Sequence, residues 1–502
     1  MTSTRPIDLD RLSLASIDNG GLEGVPVGVL GFARSGIALA RFLADAGALV
    51  TVYDAKPEGE LGPAIAALDG RPARLRLGPD VDPAAVVEGS ALLAVSPSVS
   101  PDYPTTEPRL RAVLRSVLDA GQAGDPSAPA IVSEVDLFLR LCVAPTIGVT
   151  GTKGKTTTAT LIAAILAADP LHPVVLGGNI GRPLIETVWD LTTDHRVVIE
   201  LSELQLPTMS RGTTIAVYTN VTSDHLDRHG SLDAYRRVKA RLADLVDPAG
   251  ALVLDDDDPV VAAYTGPPGV RIIRYSGERV PAAGVGVNDG WIVTGDGARV
   301  MPVAEIAIPG RHNVRNVLAS VATGTLFDLD PVAIRRAVVG FSGVENRLET
   351  VALVDGIRYV NDSQGTQPDA VAAALAAFDP PIVLIAGGRD KGVDLTGLAA
   401  VVAERAAAAI VIGESGPALG ALFRGAGLEQ IEPAATLAAA VERADAIARE
   451  LARRGDGRAT VLLSPAAASF DMFVDYEDRG RAFREAVRTV IAARANAGEG
   501  DR

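Results

Sequence analysis

The stretch Val149–Thr158, with the sequence VTGTKGKTTT, constrains the fold of this chain more than any other. It joins PTIGVT, an apolar run typical of a buried strand, to TTTATLIAAILAA, which is typical of a helix. A strand that enters a helix through a glycine-rich loop predicts an α/β fold with a parallel sheet. The loop departs from the common phosphate-binding pattern, because Val149 stands where that pattern has its first glycine.

The first part of the chain has a similar architecture. Val25–Leu30 is a candidate buried strand, and a glycine turn, a helix with an apolar face and a second candidate strand, Leu49–Tyr53, follow it. This order predicts a Rossmann-type unit that ends its second strand at Asp54. The fingerprint is incomplete, since the turn Gly31–Gly36 has alanine in place of the middle glycine. Gly121–Ala130 is expected to be a loop near the end of this block.

The whole pattern predicts an α/β chain of three domains. We expect a Rossmann-like domain over residues 1–131, a central phosphate-loop ATPase domain over 132–341 and a second Rossmann-like domain over 342–502. Apolar runs in the last two blocks alternate with helical or loop sequence, as in doubly wound folds. The strands expected there are PTIGVT, Arg196–Leu201, Ile215–Asn220, Ala251–Asp255, IRYVND, PIVLIAGG, AAIVIG and ATVLLSP.

Charge and cysteine content exclude several classes of function. The 502 residues carry a net charge of −15, whereas a general nucleic-acid binder needs an excess of Lys and Arg. The single cysteine, Cys142, builds neither a disulfide framework nor a cysteine metal cluster, and its apolar neighbours predict a buried thiol. The N-terminus lacks an apolar signal core, and Ala159–Ala168 is too short for a membrane span. We therefore expect a soluble, cytoplasmic protein without nucleic-acid or membrane partners.

The loop after the candidate strand has the composition of a phosphate site. Gly151 and Gly154 allow backbone N–H groups to turn toward an anion, and the N-terminus of the next helix adds a favourable dipole. Lys155 can reach the outer phosphates of a nucleotide, and the hydroxyl of Thr156 can bind Mg²⁺. The alternative is a plain glycine turn, which does not require Lys-Thr at a strand–helix junction.

Further side chains are candidate partners of this loop. Glu200 ends an apolar strand, where a carboxylate is costly unless it binds a cation or a donor; the alternative is a solvated strand end. His225 and Asp227 follow another strand and could bind metal, although a lone histidine is more often structural. Lys239 lies at helical spacing from Tyr235, where a lysine is normally solvated. Together with the loop, a carboxylate and a histidine predict Mg²⁺-dependent phosphoryl transfer.

Ten motifs in order make the chain resemble the Mur ligase family over nearly its whole length, and most closely the branch that adds D-glutamate. The phosphate loop is similar to the TGTxGK[ST]T loop of that family, which explains its departure from the common pattern. The other motifs are GGNIGRPL, ELSELQL, TNVTSDHLDRH, YRRVK, GRHNVRN, ENRLE, NDSQGTQP, AGGRDKG and LLSPAAASFDMFVDYEDRG.

The resemblance implies an ATP-dependent ligase of cytoplasmic peptidoglycan precursor synthesis. ATP would phosphorylate the carboxylate of UDP-N-acetylmuramoyl-L-alanine, and the amine of D-glutamate would attack the acyl phosphate through a tetrahedral intermediate. The first domain would bind the UDP-sugar and not a dinucleotide, so the middle glycine is not needed. We expect the protein to act as a monomer with two Mg²⁺ sites. The metal ligands that the resemblance implies are Thr156, Glu200, His225 and Lys239, the lysine as a carbamate formed with CO₂.

The resemblance also gives roles to individual residues, and the catalytic ones are Lys155, Glu200, His225, Lys239 and Arg347. Those expected at ATP are Gly151, Thr152, Lys153, Gly154, Lys155, Thr156, Thr157, Asn313, Asn316, Arg347 and Asp362. Within that set, Asn316 corresponds to an adenine contact, Asp362 to a ribose contact and Arg347 to a γ-phosphate contact from the third domain. Those expected at the UDP-sugar are Arg34, Ser35, Asp54, Ser96 and Asn179. Those expected at glutamate are Thr366, Lys391, Ser469 and Tyr476.

Departures from the family pattern leave the amino-acid substrate open. The third-domain motif, usually Asn-Asp-Ser-Lys-Ala-Thr-Asn, has Gln364 in place of the lysine, so a positive charge is lost near the expected glutamate and phosphate sites. Asn346 precedes Arg347 where the family has histidine, and Glu203 replaces the second serine of ELSSFQL. The main alternative is therefore the branch of the family that adds L-glutamate.

Three more distant functions fit parts of the sequence. A folate ligase or another glutamate ligase of the same superfamily is disfavoured by the third-domain segment LLSPAAASFDMF. A non-catalytic nucleotide-binding relative would be expected to lack a metal ligand, and none is missing from the sequence. An NAD-dependent oxidoreductase built on the first block is disfavoured by the incomplete glycine fingerprint.

Overall fold

The computed structural model describes residues 6–224, 226–308, 310–390, 394–469 and 471–499, which form three sheets with helices between the strands. The strands are β1 (Pro26–Leu30), β2 (Leu49–Asp54), β3 (Arg74–Leu77), β4 (Leu92–Val95), β5 (Ala130–Ser133), β6 (Thr146–Thr150), β7 (Val174–Gly178), β8 (Arg196–Glu200), β9 (Ile215–Tyr218), β10 (Ala251–Asp255), β11 (Arg271–Ser276), β12 (Gly284–Asn288), β13 (Trp291–Thr294), β14 (Arg299–Pro302), β15 (Glu349–Val354), β16 (Ile357–Asn361), β17 (Ile382–Gly387), β18 (Ala408–Ile412), β19 (Ile431–Pro433) and β20 (Ala459–Leu463).

The α-helices connect these strands, and short 3₁₀ turns supplement them. The α-helices are α1 (Leu14–Asp18), α2 (Arg34–Asp45), α3 (Gly62–Ala66), α4 (Ala84–Val87), α5 (Pro108–Gln122), α6 (Glu134–Leu141), α7 (Lys155–Leu166), α8 (Leu226–His229), α9 (Leu232–Leu245), α10 (Arg311–Thr325), α11 (Pro331–Val339), α12 (Pro368–Ala376), α13 (Thr396–Arg405), α14 (Gly416–Gly425), α15 (Leu437–Arg454) and α16 (Tyr476–Glu499). One compact unit holds the first two sheets, and a second, whose main segment starts at Gly340, holds the third.

The first sheet confirms the Rossmann-type prediction. Its five strands are all parallel and have the order β3-β2-β1-β4-β5, which matches the start of the Rossmann strand order. The runs expected at Val25–Leu30 and Leu49–Tyr53 form β1 and β2 to within one residue. The helix between them, α2, buries Leu39, Phe42 and Leu43, because apolar residues at helical spacing form one face.

The turn between β1 and α2 explains why its alanine is tolerated. Gly31 has φ +93°, and a Cβ there would lie 2.8 Å from Ser96 Oγ. A Cβ on Gly36 would lie 1.8 Å from the carbonyl oxygen of Gly31. Ala33 has φ −93° and ψ −169°, an extended conformation that any residue adopts. Only the first and third glycines are therefore required by the geometry of this turn.

The central sheet brings the ends of the motif-bearing strands together. Its nine strands have the order β14-β13-β12-β11-β10-β9-β6-β8-β7, antiparallel only among β12, β13 and β14. Because β8 and β9 flank β6 in parallel, the residues after all three strands lie at one edge of the sheet. Ligands of open parallel sheets bind at this carboxyl edge. The strands expected at PTIGVT, Arg196–Leu201, Ile215–Asn220 and Ala251–Asp255 are all present.

The third sheet lies in the second compact unit. Its order is β15-β16-β20-β17-β18-β19, and only the pair β15–β16 is antiparallel. The four apolar runs predicted for this part of the chain form β16, β17, β18 and β20. Asn361, the last residue of β16, is opposite Leu463, the last residue of β20. The segments that follow these two residues therefore lie side by side.

A segment before the first strand belongs to the core of the first unit. Leu12, Ile17 and Leu22 are buried in the same apolar cluster as residues of the first two sheets. Arg140 on α6 donates from Nη1 to the carbonyl oxygen of Leu9 at 3.0 Å. This segment, which carries none of the motifs, is thus a packed part of the fold.

Two expectations need correction. Gly121–Ala130 is not entirely a loop, because α5 continues through Gln122 and β5 begins at Ala130. Cys142 is half-buried, since it follows the last turn of α6 and is not inside that helix.

The three sheets correspond to the three domains expected, but the boundaries after residues 131 and 341 stay predictions. Among the described residues, no helix is both long enough and apolar enough to cross a membrane.

Candidate active site

The glycine loop lies between β6 and α7 and takes its shape from two glycines. Gly151 has φ +151° and Gly154 has φ +84°, conformations that other residues rarely adopt. A Cβ on Gly151 would lie 2.0 Å from Thr219 Oγ1, and one on Gly154 would lie 2.4 Å from Asn316 Oδ1. Since α7 begins at Lys155, the positive end of its dipole faces the loop. This arrangement suits an anion.

The two lysines of the loop have different surroundings. Lys155 is half-buried, and its Nζ donates to the carbonyl oxygens of Gly151 at 3.1 Å and Thr152 at 3.0 Å. Lys153 is exposed, and its Nζ pairs with a carboxylate oxygen of Asp224 at 3.0 Å. Lys155 is therefore the cation that the loop itself orients.

The first turn of α7 carries the hydroxyl groups expected at ATP. Thr156 is 6% exposed and is the second residue of the helix, while Thr157 is half-buried. Thr158 Oγ1 donates to Asn316 Oδ1 at 3.3 Å, and Asn316 Nδ2 donates to Asn313 Oδ1 at 2.9 Å. Asn316 thus supports the loop from α10, and its contact with adenine stays a prediction.

Glu200 is not a solvated strand end. It is the last residue of β8 and is 2% exposed. Its Oε1 accepts a hydrogen bond from Asn179 Nδ2 at 2.9 Å. Its Oε2 is buried and has no hydrogen-bond partner among the described residues. A buried carboxylate oxygen without a partner is costly, so the site is suited to a cation.

Lys239 is buried, contrary to what is usual for a lysine on a helix. It is 0% exposed on α9, and its Nζ donates to Thr150 Oγ1 at 3.3 Å and lies 5.6 Å from the ring centroid of Tyr235. Burial, and secondly the positive charge of Lys155, lower the pKa of Lys239 to about 7. The hydroxyl of Tyr235 is 3.0 Å from Thr152 Oγ1. Tyr235, which was not among the expected site residues, therefore connects the phosphate loop to α9, the helix that carries Lys239.

Two of the expected metal-site positions cannot be placed. His225 and the side chain of Asp227 lie outside the described part of the chain. Among the described side chains, no group of three or more His, Cys, Asp or Glu could hold a metal ion. Thr156, Glu200 and Lys239 are the described members of the expected ligand set.

Two of the residues expected at the UDP-sugar contact the glycine turn of the first sheet, and a third follows that turn on α2. Asp54 Oδ2 accepts from the backbone N–H of Phe32 at 2.8 Å. Ser96 is buried, and its Oγ donates to the carbonyl oxygen of Gly31 at 3.3 Å. Ser35 is half-buried in the first turn of α2. Their contacts with a UDP-sugar stay predictions.

Arg34 and Asn179, the other two residues of that set, are brought together by the structure. The guanidinium of Arg34, on α2, donates to the carbonyl oxygen of Asn179, which follows β7, at 3.2 Å. The first sheet and the central sheet are therefore joined next to Glu200.

The second unit contains a pair of residues expected at ATP. Asp362 is 4% exposed, and its carboxylate accepts from Ser464 Oγ at 2.7 Å and from the backbone N–H of Leu348 at 3.2 Å. Burial raises the pKa of Asp362 to about 6, against these two hydrogen bonds and the charge of Arg347. Arg347 and Asp362 are thus electrostatic neighbours.

The residues expected at glutamate belong to the same unit. Ser469 is 3% exposed in the segment after β20, and Thr366 lies in the segment after β16. The carbonyl oxygen of Tyr476 accepts from Ser363 Oγ at 2.8 Å, which joins the start of α16 to these segments. Lys391 lies outside the described residues.

Arg479 was not predicted and links the same segments. It is 1% exposed, and it donates from Nε to Ser363 Oγ at 3.0 Å and from Nη1 to the carbonyl oxygen of Ala467 at 3.3 Å. Burial lowers its pKa to about 10, so the guanidinium remains charged at neutral pH. The available signal was its place in the motif VDYEDRG, one helical turn after Tyr476.

Comparison with known proteins agrees with this geometry. Residues 149–324 match the Mur ligase middle domain, and residues 346–467 match the Mur ligase, glutamate ligase domain. UDP-N-acetylmuramoylalanine–D-glutamate ligase of Symbiobacterium thermophilum is 39% identical over 468 residues, which cover 92% of this chain and 97% of that protein. The protein of the same name from Pelotomaculum thermopropionicum is 40% identical over 467 residues, covering 91% of this chain and 96% of that one.

The fold is similar to that of a solved structure. UDP-N-acetylmuramate–alanine ligase MurC of Thermotoga maritima aligns with a TM-score of 0.52 and 18% identity, over 92% of this chain and 99% of that chain. At 18% identity, this similarity shows the fold alone. With the two D-glutamate ligases similar along almost their whole length and both domain matches in place, the chain belongs to the Mur ligase family.

Proposed function

We propose that this chain is an ATP-dependent ligase that joins D-glutamate to UDP-N-acetylmuramoyl-L-alanine in peptidoglycan precursor synthesis. The observation that carries the proposal is the joint burial of Glu200 and Lys239 beside a glycine phosphate loop. The names of the relatives that are 39% and 40% identical support D-glutamate as the amino acid. The first sheet would hold the UDP-sugar through Ser35, Asp54 and Ser96, with Arg34 beside them, and Asn179, which follows β7 of the central sheet, would contact its muramoyl part.

The phosphate loop would hold ATP by its backbone. The glycine turn and the N-terminal end of the dipole of α7 offer positive potential to the β- and γ-phosphates. Lys155, which the loop carbonyls orient, would turn to the γ-phosphate. Asn313 and Asn316 on α10 would contact adenine, Asp362 would contact the ribose and Arg347 would contact the γ-phosphate.

The residues of the metal set fit Mg²⁺. Glu200 Oε2 is buried without a hydrogen-bond partner among the described residues, and an oxygen of this kind is a hard ligand of the type that Mg²⁺ prefers. Thr156, Glu200, His225 and carbamylated Lys239 would hold two Mg²⁺ ions. Mg²⁺, when bound, neutralises charge that develops on the transferred phosphoryl group.

Lys239 is suited to carbamate formation. Its amine is secluded from solvent, and a pKa of about 7 leaves a large neutral fraction at physiological pH. The neutral nitrogen attacks the carbon of CO₂, the N–C bond forms, and one proton leaves to solvent. The product is an anionic carbamate, which removes the cost of a buried cation and adds an oxygen ligand.

The proposed reaction has two steps. A carboxylate oxygen of the UDP-sugar attacks the γ-phosphorus of ATP, and ADP leaves with the bridging oxygen. The uncharged amine of glutamate then attacks the acyl carbon to give a tetrahedral intermediate, which loses a proton from the nitrogen and expels phosphate. The residues of the chain orient the carboxylate, hold the phosphates and exclude water, which is how phosphoryl transfer is largely catalysed.

The glutamate site would be formed in the second unit. Thr366, Lys391, Ser469 and Tyr476 supply a cation and hydroxyl groups, which two carboxylates require. Gln364 removes one positive charge from this region, and the buried guanidinium of Arg479 contributes one beneath the same segments. This cation supports a dicarboxylate acceptor despite Gln364.

Location and assembly follow from the proposed reaction. ATP is available in the cytoplasm, which is therefore the proposed location. Every residue with a proposed role lies on one chain, so a monomer is the proposed active form.

The proposal is tested by phosphate release from the purified protein with ATP, Mg²⁺ and UDP-N-acetylmuramoyl-L-alanine. D-glutamate and L-glutamate are supplied in parallel, and reactions without the UDP-sugar measure background hydrolysis. We expect release with D-glutamate alone. Release with L-glutamate alone would assign the other branch and make Gln364 the first residue to change. Release with neither would contradict the proposed ligase activity.

A further inference from the structure

Arg34 ties the glycine turn of the first sheet to a loop of the central sheet. It lies in the first turn of α2, and its guanidinium donates to the carbonyl oxygens of Gly181 at 3.0 Å, Asn179 at 3.2 Å and Gly178 at 3.4 Å. A planar guanidinium has several donors in a fixed geometry, whereas a lysine has one mobile nitrogen. Arg34 therefore holds residues 178–181 as a unit.

The loop 178–181 is itself built against Glu200. Gly178 has φ +97°, and a Cβ there would lie 2.4 Å from the carbonyl oxygen of Glu200. The backbone N–H of Asn179 donates to that carbonyl oxygen at 2.9 Å, and its Nδ2 donates to Glu200 Oε1 at 2.9 Å. Asn179 thus fixes both the backbone and one carboxylate oxygen of Glu200, while Oε2 remains buried without a hydrogen-bond partner among the described residues.

The chain after this loop is held at Ile185 by a glutamate side chain. Glu134 is 2% exposed at the start of α6, and its Oε1 accepts from the backbone N–H of Ile185 at 3.0 Å. A cation on carbonyl oxygens and a carboxylate on an N–H group each match the polarity of their partners. Arg34 supplies the charged contact on the side of Asn179.

We infer that Arg34 is a positioning residue for Glu200 and acts through Asn179. The inference rests on the proposed function, in which Glu200 binds Mg²⁺. Without Arg34, water replaces the guanidinium on the loop carbonyls and Asn179 loses its fixed orientation. Glu200 must then be ordered when the cation binds, which weakens that binding, because partners of a metal ligand preset its orientation.

A direct contact with the UDP-sugar is the competing role for the same side chain. That role predicts weaker UDP binding with unchanged cation binding after Arg34 is removed. The positioning role predicts weaker cation binding with unchanged UDP binding. The two roles are therefore separated by measuring both affinities in the same variants.

The variants are Arg34→Ala, Arg34→Lys, Asn179→Ala and the double variant of Arg34→Ala with Asn179→Ala. Arg41→Ala is the matched control. Arg41 lies on the same helix and donates to Glu186 Oε1 at 3.3 Å. Since Glu186 is outside the loop 178–181, Arg41 makes a similar contact without touching that loop. Circular dichroism verifies that each variant is folded.

Three quantities are measured for each full-length variant. Electron paramagnetic resonance gives the affinity for Mn²⁺ in the presence of ATP. Calorimetry gives the affinity for UDP. Phosphate release gives the Mg²⁺ concentration at half-maximal rate.

We expect Arg34→Ala to weaken Mn²⁺ binding by about 10-fold and to raise the Mg²⁺ midpoint equally, as for other partners of metal ligands. Arg34→Lys should recover part of this loss, and Arg41→Ala should behave as the unchanged protein. UDP affinity should stay the same in Arg34→Ala and Arg34→Lys, because the inferred role of Arg34 is exerted on Asn179 and not on UDP. Because Arg34 acts through Asn179, the double variant should be no weaker than Asn179→Ala alone.

Unchanged Mn²⁺ binding in Arg34→Ala overturns the inference, and so do losses that add in the double variant. Weaker UDP binding with normal Mn²⁺ binding assigns the competing role. If the unchanged protein releases no phosphate with either glutamate, the proposed function fails. The Mn²⁺ measurement still decides the positioning role in that case, because it does not require turnover.

Discussion

Gly154 and Asn316 approach each other so closely that no side chain fits between them. A Cβ on residue 154 would lie 2.4 Å from Asn316 Oδ1, and Thr158 Oγ1 donates to the same oxygen at 3.3 Å. Asn316 is 5% exposed on α10, so it has little freedom to move away. The shape of the phosphate loop is therefore fixed by a helix that is distant in the sequence.

Gly154→Ala should distort the loop through two effects. Residue 154 has φ +84°, which costs an alanine about 1–2 kcal/mol, and the new methyl group meets the buried amide of Asn316. We expect phosphate release to fall by about 100-fold, because the donors at the phosphates are misplaced. The kinetics of phosphate release measure the loss of activity, and thermal melts measure the loss of stability. Gly124→Ala is the control for positive φ alone, since φ there is +79° and a Cβ would meet nothing within 4 Å. Full activity in Gly154→Ala would contradict the proposed loop.

Lys155→Ala should abolish turnover and leave the protein folded. Lys155 is held over the loop by two carbonyl groups, and it is the cation proposed at the γ-phosphate. Lys153→Ala is the matched control, because Lys153 is exposed and pairs with Asp224 at the surface. We expect a loss of about 100-fold or more for Lys155 and a small loss for Lys153, measured as kcat with saturating ATP. Equal losses would mean that the two cations are not distinguished by the loop.

Lys239→Ala should be inactive and partly rescued by a short carboxylic acid. Lys239 is fully buried, so alanine leaves a cavity that acetate or formate can enter as a substitute for the carbamate. Lys239→Met is the matched control, because its side chain fills the cavity and should prevent rescue. Phosphate release is measured against acid concentration at constant ionic strength. Rescue of both variants, or of neither when both are folded, would count against a carbamate.

Asp362→Asn should stabilise the protein at pH 7.5 more than at pH 5. The folded-state pKa of Asp362 is about 6, above the ordinary value of 3.8, so the folded state binds the proton more tightly than the unfolded state. The free energy of unfolding therefore falls as pH rises from about 4 to about 6, and an uncharged asparagine avoids this loss. We expect the difference between variant and unchanged protein to grow by on the order of 1 kcal/mol from pH 5 to pH 7.5. Chemical denaturation at both pH values measures it; a constant difference would refute the raised pKa.

The strands and the order of the sheets could be predicted because their signal is local. The apolar run Ala251–Asp255 coincides with β10, and Arg196–Leu201 exceeds β8 by one residue. A run of branched apolar residues between turn residues is visible within a short window of sequence. The loop expected to begin at Gly121 was wrong, because the last turn of α5 consists of small and polar residues, which are also typical of loops.

Contacts between distant segments could not be predicted in this way. Arg479 donates to Ser363, and Tyr235 contacts Thr152, yet no pattern in either segment specifies its partner. The burial of Lys239 is a similar case, because helical spacing alone indicates a solvated lysine. The resemblance to a family implies a role for this residue, whereas the burial that lowers the pKa of its amine is seen only in the structure.

The segment before the first strand packs in the core of the first unit. The first strand is Pro26–Leu30, but the core already includes Leu12, Ile17 and Leu22 before it. A shortened chain that starts at the first strand would expose the apolar surface that these three side chains cover. An affinity tag fused at that point would take the place of buried core residues. The segment before the first strand is therefore part of the fold, and shortened versions of the protein should retain it.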